Sequence, residues 1–260
     1  MRIDDSVLRM KRLTLILSLA LLSLLPATAQ IGNYRQDLAI GVNGGYALTN
    51  FRFTPKVNQG MHGGLTGGLT VRYTCEKYFN TICAIVGEVN YAQMGWKESI
   101  LDYDDQPVIN EVTGLAEEYS RTINYIQVPL FAHLGWGREV KGFQFFVQAG
   151  PQFGYFLSES TKMNFELTQR NISDRVNQVI QQDTMAVENK LDYGIAAGAG
   201  VEYSHPKLGH FLLEGRYYYG LGNIYGDTKK DFFASSNMGS IVVKLTWLMD
   251  VKRTKNVKRK

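Results

Sequence analysis

From Asp37 onward, apolar and polar side chains alternate with a period of two, the pattern of strands whose two faces meet different surroundings. Leu38, Ile40, Val42, Tyr46 and Leu48 share one parity, and Ala39, Gly41, Asn43 and Gly45 hold the other. The same alternation recurs over residues 65–73, 85–91, 126–134, 143–155, 191–201, 211–219 and 241–247. It predicts eight strands.

The connections decide what those strands build. Three are short, around residues 76–80, 137–142 and 204–209; four are longer, spanning 50–62, 97–120, 159–189 and 222–236. Long and short alternate strictly, so the tight turns gather at one end and the long loops at the other. This asymmetry predicts an all-β fold, an eight-stranded antiparallel up-and-down transmembrane β-barrel with short periplasmic turns and long extracellular loops. An even strand number places both termini at the periplasmic end. Aromatic residues fall into two expected interfacial girdles: Trp136, Trp247, Tyr203 and Phe211 near the turns, and Trp96, Tyr91, Tyr155, Tyr193 and Tyr219 near the loops. A soluble barrel would turn its apolar parity inward and charge its outside, whereas the polar parity here is mostly Gly, Asn, Gln and Thr.

The chain has 260 residues and a formal net charge of +4. Its basic character sits at the ends. Arg2, Arg9, Lys11 and Arg12 open the chain, Lys252, Arg253, Lys255, Lys258, Arg259 and Lys260 close it, and the body between is acidic. A nucleic-acid-binding domain would instead cluster its cations on a folded face, so nucleic acid is not an expected partner. Lys11 and Arg12 precede an uncharged apolar run over residues 13–25, then Pro26 and Ala27-Thr28-Ala29, the layout of a secretory signal with an A-x-A cleavage site. That run is shorter than the about 20 residues a membrane-spanning helix needs. The expected organisation is a signal peptide over 1–29, a barrel over 30–250 and a basic periplasmic tail over 251–260.

An eight-stranded barrel is filled by its own side chains. The inward parity supplies Arg72, Glu88, Glu202, Glu214, Arg216 and Lys244, with His133 and several Gln and Asn. Opposite charges in a dry lumen are expected to pair into a structural plug, a reading favoured over a gated conduit. A Ser/His/acid set needs a histidine beside a serine and a carboxylate; His62 is the only His expected near the loop end, no nucleophile motif accompanies it, and a non-enzymatic protein is expected. Asp102 and Asp104 have the spacing of a calcium loop, but Pro107 stands where glycine is required, so the surrounding acids, Asp105, Glu98, Glu111, Glu117 and Glu118, read as a solvated loop. Val176, Val179 and Ile180 have the spacing of a short surface helix. Cys75 and Cys83 flank the first short turn, where a structural cross-strand disulfide and two free thiols are even alternatives. Neither cofactor nor metal is expected; the expected partners are outer-membrane lipids and lipopolysaccharide.

Tyr125-Ile126-Gln127-Val128-Pro129-Leu130 resembles a strand typical of PorT-type outer-membrane barrels. So do the segment with Gly150 and Pro151, the one with Gly198, and the one carrying Arg216, Tyr217, Gly220 and Asn223. The resemblance covers the fourth to seventh strands and implies the barrel architecture. It also implies an accessory part in a type IX-like secretion apparatus, with partner proteins reached through the loops or the basic tail. The alternative is a stand-alone structural or surface-binding barrel; a barrel enzyme ranks third. The chain departs from many such barrels in following Trp247 and Met249 with a basic stretch rather than ending on an aromatic residue.

Overall fold

The computed structural model describes residues 32–226 and 231–254. The signal peptide expected over 1–29 and the end of the basic tail lie outside the described residues. Eight long strands run antiparallel: β1 (Gly32–Thr54), β3 (His62–Tyr78), β4 (Thr81–Glu98), β5 (Tyr119–Gly137), β6 (Gly142–Met163), β7 (Leu191–His205), β8 (Gly209–Asn223) and β9 (Ser235–Lys252). A two-residue strand, β2 (Gln59–Gly60), adds to the loop end of β4. Sequential neighbours pair, β1 pairs with β9, and β4 with β5, so the sheet closes on itself. Closure leaves none of the eight long strands as a free edge.

The parity predicted from sequence sets which side chains leave the barrel. Ile40, Val42, Leu69, Val89, Leu130, Ile195, Val243 and Leu245 stand exposed on the outer surface, and the alternate positions are buried. Trp136, Trp247, Phe211, Tyr91, Tyr155, Tyr193 and Tyr219 also face outward, while Tyr203 is half-buried there. On β6 the exposed face changes from Tyr155 and Leu157 to Ser158, Ser160 and Lys162. The strand therefore outruns the apolar band, as its 22 residues must when about ten cross a membrane.

Trp96 departs from the expectation. It is wholly buried, with Phe51 and Phe53 at ring-centroid distances of 5.1 and 5.3 Å. It shares the inward parity of Glu88 and Asn90 on β4, so its nearness to the strand end does not place it in the outer girdle. The interior is thus divided. Charged and amide groups fill the half near the short turns, whereas Phe51, Phe53, Trp96, Tyr119, Tyr125, Tyr225 and Phe233 form an aromatic core toward the long loops. Val57, Ile100, Val108, Phe165 and Val187, all from loops, belong to that core. The expected helix over residues 176–180 is absent: the only helical turn among the described residues is Gln181–Asp183, and Val179 packs on the core instead. At the other end, β9 continues to Lys252, and the Thr254 amide donates to Asp37 while Thr254 Oγ1 accepts from the Gln36 amide. The first residues of the expected basic tail are therefore tied to β1.

Candidate functional site

The sheet brings the six inward charges together in two groups. Arg216 on β8 donates two bonds to Glu88 on β4, both at 3.0 Å, and two to Glu214, both at 2.9 Å. Lys244 on β9 donates to Glu88 and stands 3.7 Å from Glu214. Arg72 on β3 meets Glu202 on β7 at 2.6 Å. Three cations thus balance three carboxylates, and the amides complete the set: Gln148 donates to Glu214 at 2.7 Å and Asn90 to Glu88 at 2.8 Å. Gly198 lies opposite Arg216 in the register, and a Cβ there would collide with the Glu214 carboxylate. Its missing side chain is what lets the network occupy the axis. Removing one partner from such a buried set would leave an uncompensated charge, and the pairs join β3 to β7 and β4 to β8 through the interior.

Beside the short turns, a cavity of about 170 Å³ is lined by Arg72, His133, Glu202, His210 and Asp250. No sequence motif marks Ser204, His210 or Asp250. Ser204 and His210 are register partners across the β7–β8 turn, which equal inward parity on either side of residue 207 could have shown. Ser204 Oγ is 2.9 Å from His210 Nδ1, and His210 Nε2 is 3.1 Å from Asp250, spacings that suit a nucleophilic triad. The wiring does not. Nδ1 also faces Glu202 at 2.6 Å, so both ring nitrogens meet carboxylates and none is left to accept the serine proton. Glu202 Oε1 accepts from Ser204 Oγ at 3.2 Å. The cluster is an ion-pair clamp joining β7, β8 and β9.

The loop end is a built cap. Glu117, expected in a solvated loop, is buried, where it accepts from Arg175 at 2.7 Å, from Asn110 at 2.8 Å and from the Asn171 amide at 2.8 Å. Glu98 is buried too, accepting from Gln182 at 2.8 Å. Arg121 reaches from β5 to the Met185 and Asp183 carbonyls at 2.5 and 3.4 Å. Asp183 pairs with Arg170 at 2.9 Å, and burial pushes its carboxyl above the usual range. Asp102 serves its own turn, its Oδ1 accepting from the amides of Asp104 and Gln106. Among the described residues no group of three or more His, Cys, Asp or Glu is placed to hold a metal. His62 sits 3.2 Å from Thr122 Oγ1.

The motif residues have distinct positions. Tyr125, Gln127 and Pro129 face inward; Gly150 lets β5 and β6 approach, since a Cβ would run into the Leu130 carbonyl. Pro151 and Tyr217 face outward, Gly220 is buried, and Asn223 accepts from the Ser236 amide at 2.9 Å beside the last long loop. Cys75 and Cys83 are free thiols; a bulge between Thr74 and Glu76 sets Cys83 opposite Glu76.

A family model described as "Outer membrane protein beta-barrel domain" matches residues 28–226. Among solved structures, the chain is similar to Ail, the attachment invasion locus protein of Yersinia pestis, in complex with the heparin analogue sucrose octasulfate. Identity is 13%, covering 82% of this chain and 99% of that one, with a TM-score of 0.34. It is also similar to Neisserial surface protein A, at 10% identity, 83% and 99% coverage and a TM-score of 0.40. Likeness to OprG of Pseudomonas aeruginosa is at 13% identity, 84% and 96% coverage and a TM-score of 0.37. No curated protein matches the sequence significantly.

Proposed function

The chain belongs to the outer-membrane β-barrel domain family, and from that premise we propose that it is a stand-alone, non-enzymatic surface-binding barrel acting through its long-loop cap. The observation that carries this reading is the cap itself. The second and third long loops share a buried core and the Glu117–Arg175 pair above a barrel whose bore is filled by ion pairs. A binding surface whose loops are already ordered loses little conformational entropy on contact. In this reading the short turns and both termini face the periplasm and the cap faces the exterior. Tyr103, Val112 and Leu115 stand exposed on the second loop as contact residues.

Replacing residues 101–116 by a short Gly-Ser linker should abolish adhesion of expressing cells to surfaces they otherwise colonise, with secreted proteins unchanged. Val112→Cys should react with a membrane-impermeant maleimide on intact cells, and Lys207→Cys should react only after the envelope is opened. Adhesion unaffected by the loop replacement would overturn the reading.

The second reading, an accessory barrel of a type IX-like secretion apparatus, is supported by the PorT-type resemblance alone. Tyr125, Gln127, Gly150 and Gly198 serve barrel packing here, a use open to any barrel of this family. Exported cargo trapped in the periplasm of a deletant would favour it.

A further inference from the structure

We propose that the rim formed by the short turns and the end of β9 is a recognition surface for anionic phospholipid headgroups. Two of the three short turns and the end of β9 each join an exposed cation to an exposed apolar side chain. On the β3–β4 turn, by contrast, exposed Tyr78 and Phe79 follow Lys77, which is paired with Glu139. Arg138 and Lys141 flank Val140 on the β5–β6 turn, Lys207 precedes Leu208 on the β7–β8 turn, and Lys252 follows Val251 on β9. Their depth follows from the chain. Arg138 lies two residues past outward-facing Trp136, and Lys141 two before outward-facing Phe143, at most about 7 Å of extended chain in each case. That matches the headgroup layer, about 5–8 Å thick on each side of the hydrocarbon. The β7–β8 turn is held at the same level, because Trp247 Nε1 donates to the Leu208 carbonyl at 2.8 Å. Lys252 begins where the outward apolar series Trp247, Met249 and Val251 ends.

The charge at this rim is unbalanced toward the membrane. Its carboxylates are largely engaged: Asp37 and Glu139 by Arg35, Glu139 also by Lys77, and Asp250 by His210 and Arg253. Glu76 stands half-buried on β3 without such a partner among the described residues. Arg138, Lys141, Lys207 and Lys252 form no ion pair among the described residues, and all four are exposed. Four free cations beside inserted apolar tips suit a phosphate-bearing anionic headgroup, where Coulomb attraction and apolar insertion act together. An acidic protein would have to compete with the lipid already at that depth.

The proposal rests on the membrane placement used above, though not on which face of the membrane the rim occupies, since the test uses symmetric bilayers. The full chain is placed in nanodiscs of equal phosphatidylcholine and phosphatidylglycerol, with insertion checked by the heat-modifiable gel shift. Lipids retained after mild detergent extraction are then counted by native mass spectrometry. Phosphatidylglycerol should be retained about tenfold over phosphatidylcholine in low salt, with the preference fading as ionic strength rises. The quadruple variant Arg138→Gln, Lys141→Gln, Lys207→Gln, Lys252→Gln should insert normally and lose most of the preference; a chain truncated after Thr254 should keep it. Equal retention by the wild-type protein, an undiminished preference in the quadruple variant, or loss of preference on truncation alone would each overturn the assignment.

Discussion

Glu88 on β4 and Arg216 on β8 join across the barrel axis through two parallel hydrogen bonds of 3.0 Å, although 128 residues separate them. Both side chains are nearly inaccessible, and Lys244 docks on the same carboxylate. Strands that share no ladder are therefore linked through the lumen.

Glu88→Ala should strand two buried cations with Glu214 alone and lower stability by about 3–5 kcal/mol. Urea midpoints of the folded form, read by gel shift in detergent micelles, measure it. Combining Glu88→Leu, Arg216→Met and Lys244→Met with Glu214→Gln should recover much of that loss, because the whole ionic set would give way to uncharged packing and no carboxylate would be left unpaired. A single-variant loss under about 1 kcal/mol would contradict the pairing.

The filled lumen should conduct poorly. Planar bilayers holding the wild-type protein should show no steady open-channel current at neutral pH, since the axis carries Glu88, Arg216, Glu214 and Lys244 in contact. A stable open level would mean that this network parts.

The three tryptophans should divide by quenching with brominated lipid. Single-tryptophan variants retaining Trp136 or Trp247 should be quenched, and one retaining Trp96 should not, because only Trp96 is fully buried. Trp96→Ala should cost about 3–5 kcal/mol. It should also expose the second and third long loops to limited proteolysis, while leaving the barrel core resistant.

Acidity should tighten the cap. Burial raises the carboxyl of Asp183 despite Arg170, so the folded state holds that proton more firmly than the unfolded chain does. Its contribution is then complete at pH values below the ordinary carboxylate range and is lost as pH rises toward the raised value. Proteolysis of residues 170–189 should accelerate over that interval, and Asp183→Asn should flatten the dependence.

Cys75 occupies the bulge next to Cys83, with both thiols half-buried on adjacent strands. Mild oxidation of the folded protein should link them within one chain, with loss of both alkylatable thiols and an unchanged gel shift. Disulfide-linked dimers as the sole product would show that the bulge holds the thiols apart.

What the amino-acid order determined by itself was the direction of each side chain and the end at which each connection lies. Period two assigns a face, and alternation of short and long connections assigns an end, so the barrel, its apolar outside and the inward set Arg72, Glu88, Glu202, Glu214, Arg216 and Lys244 could be read directly. Trp96 was legible as well, since it continues the parity of Glu88, Asn90, Ala92 and Met94, but its position near a strand end suggested the girdle. Partner choice was not legible. Which carboxylate Arg72 or Arg216 meets depends on register and closure, which one bulge can displace, as between Thr74 and Glu76. The cap depended most on tertiary structure. Glu117 and Arg175 lie 58 residues apart in loops without periodicity, and their pairing exists only because eight strands bring those loops over a common mouth.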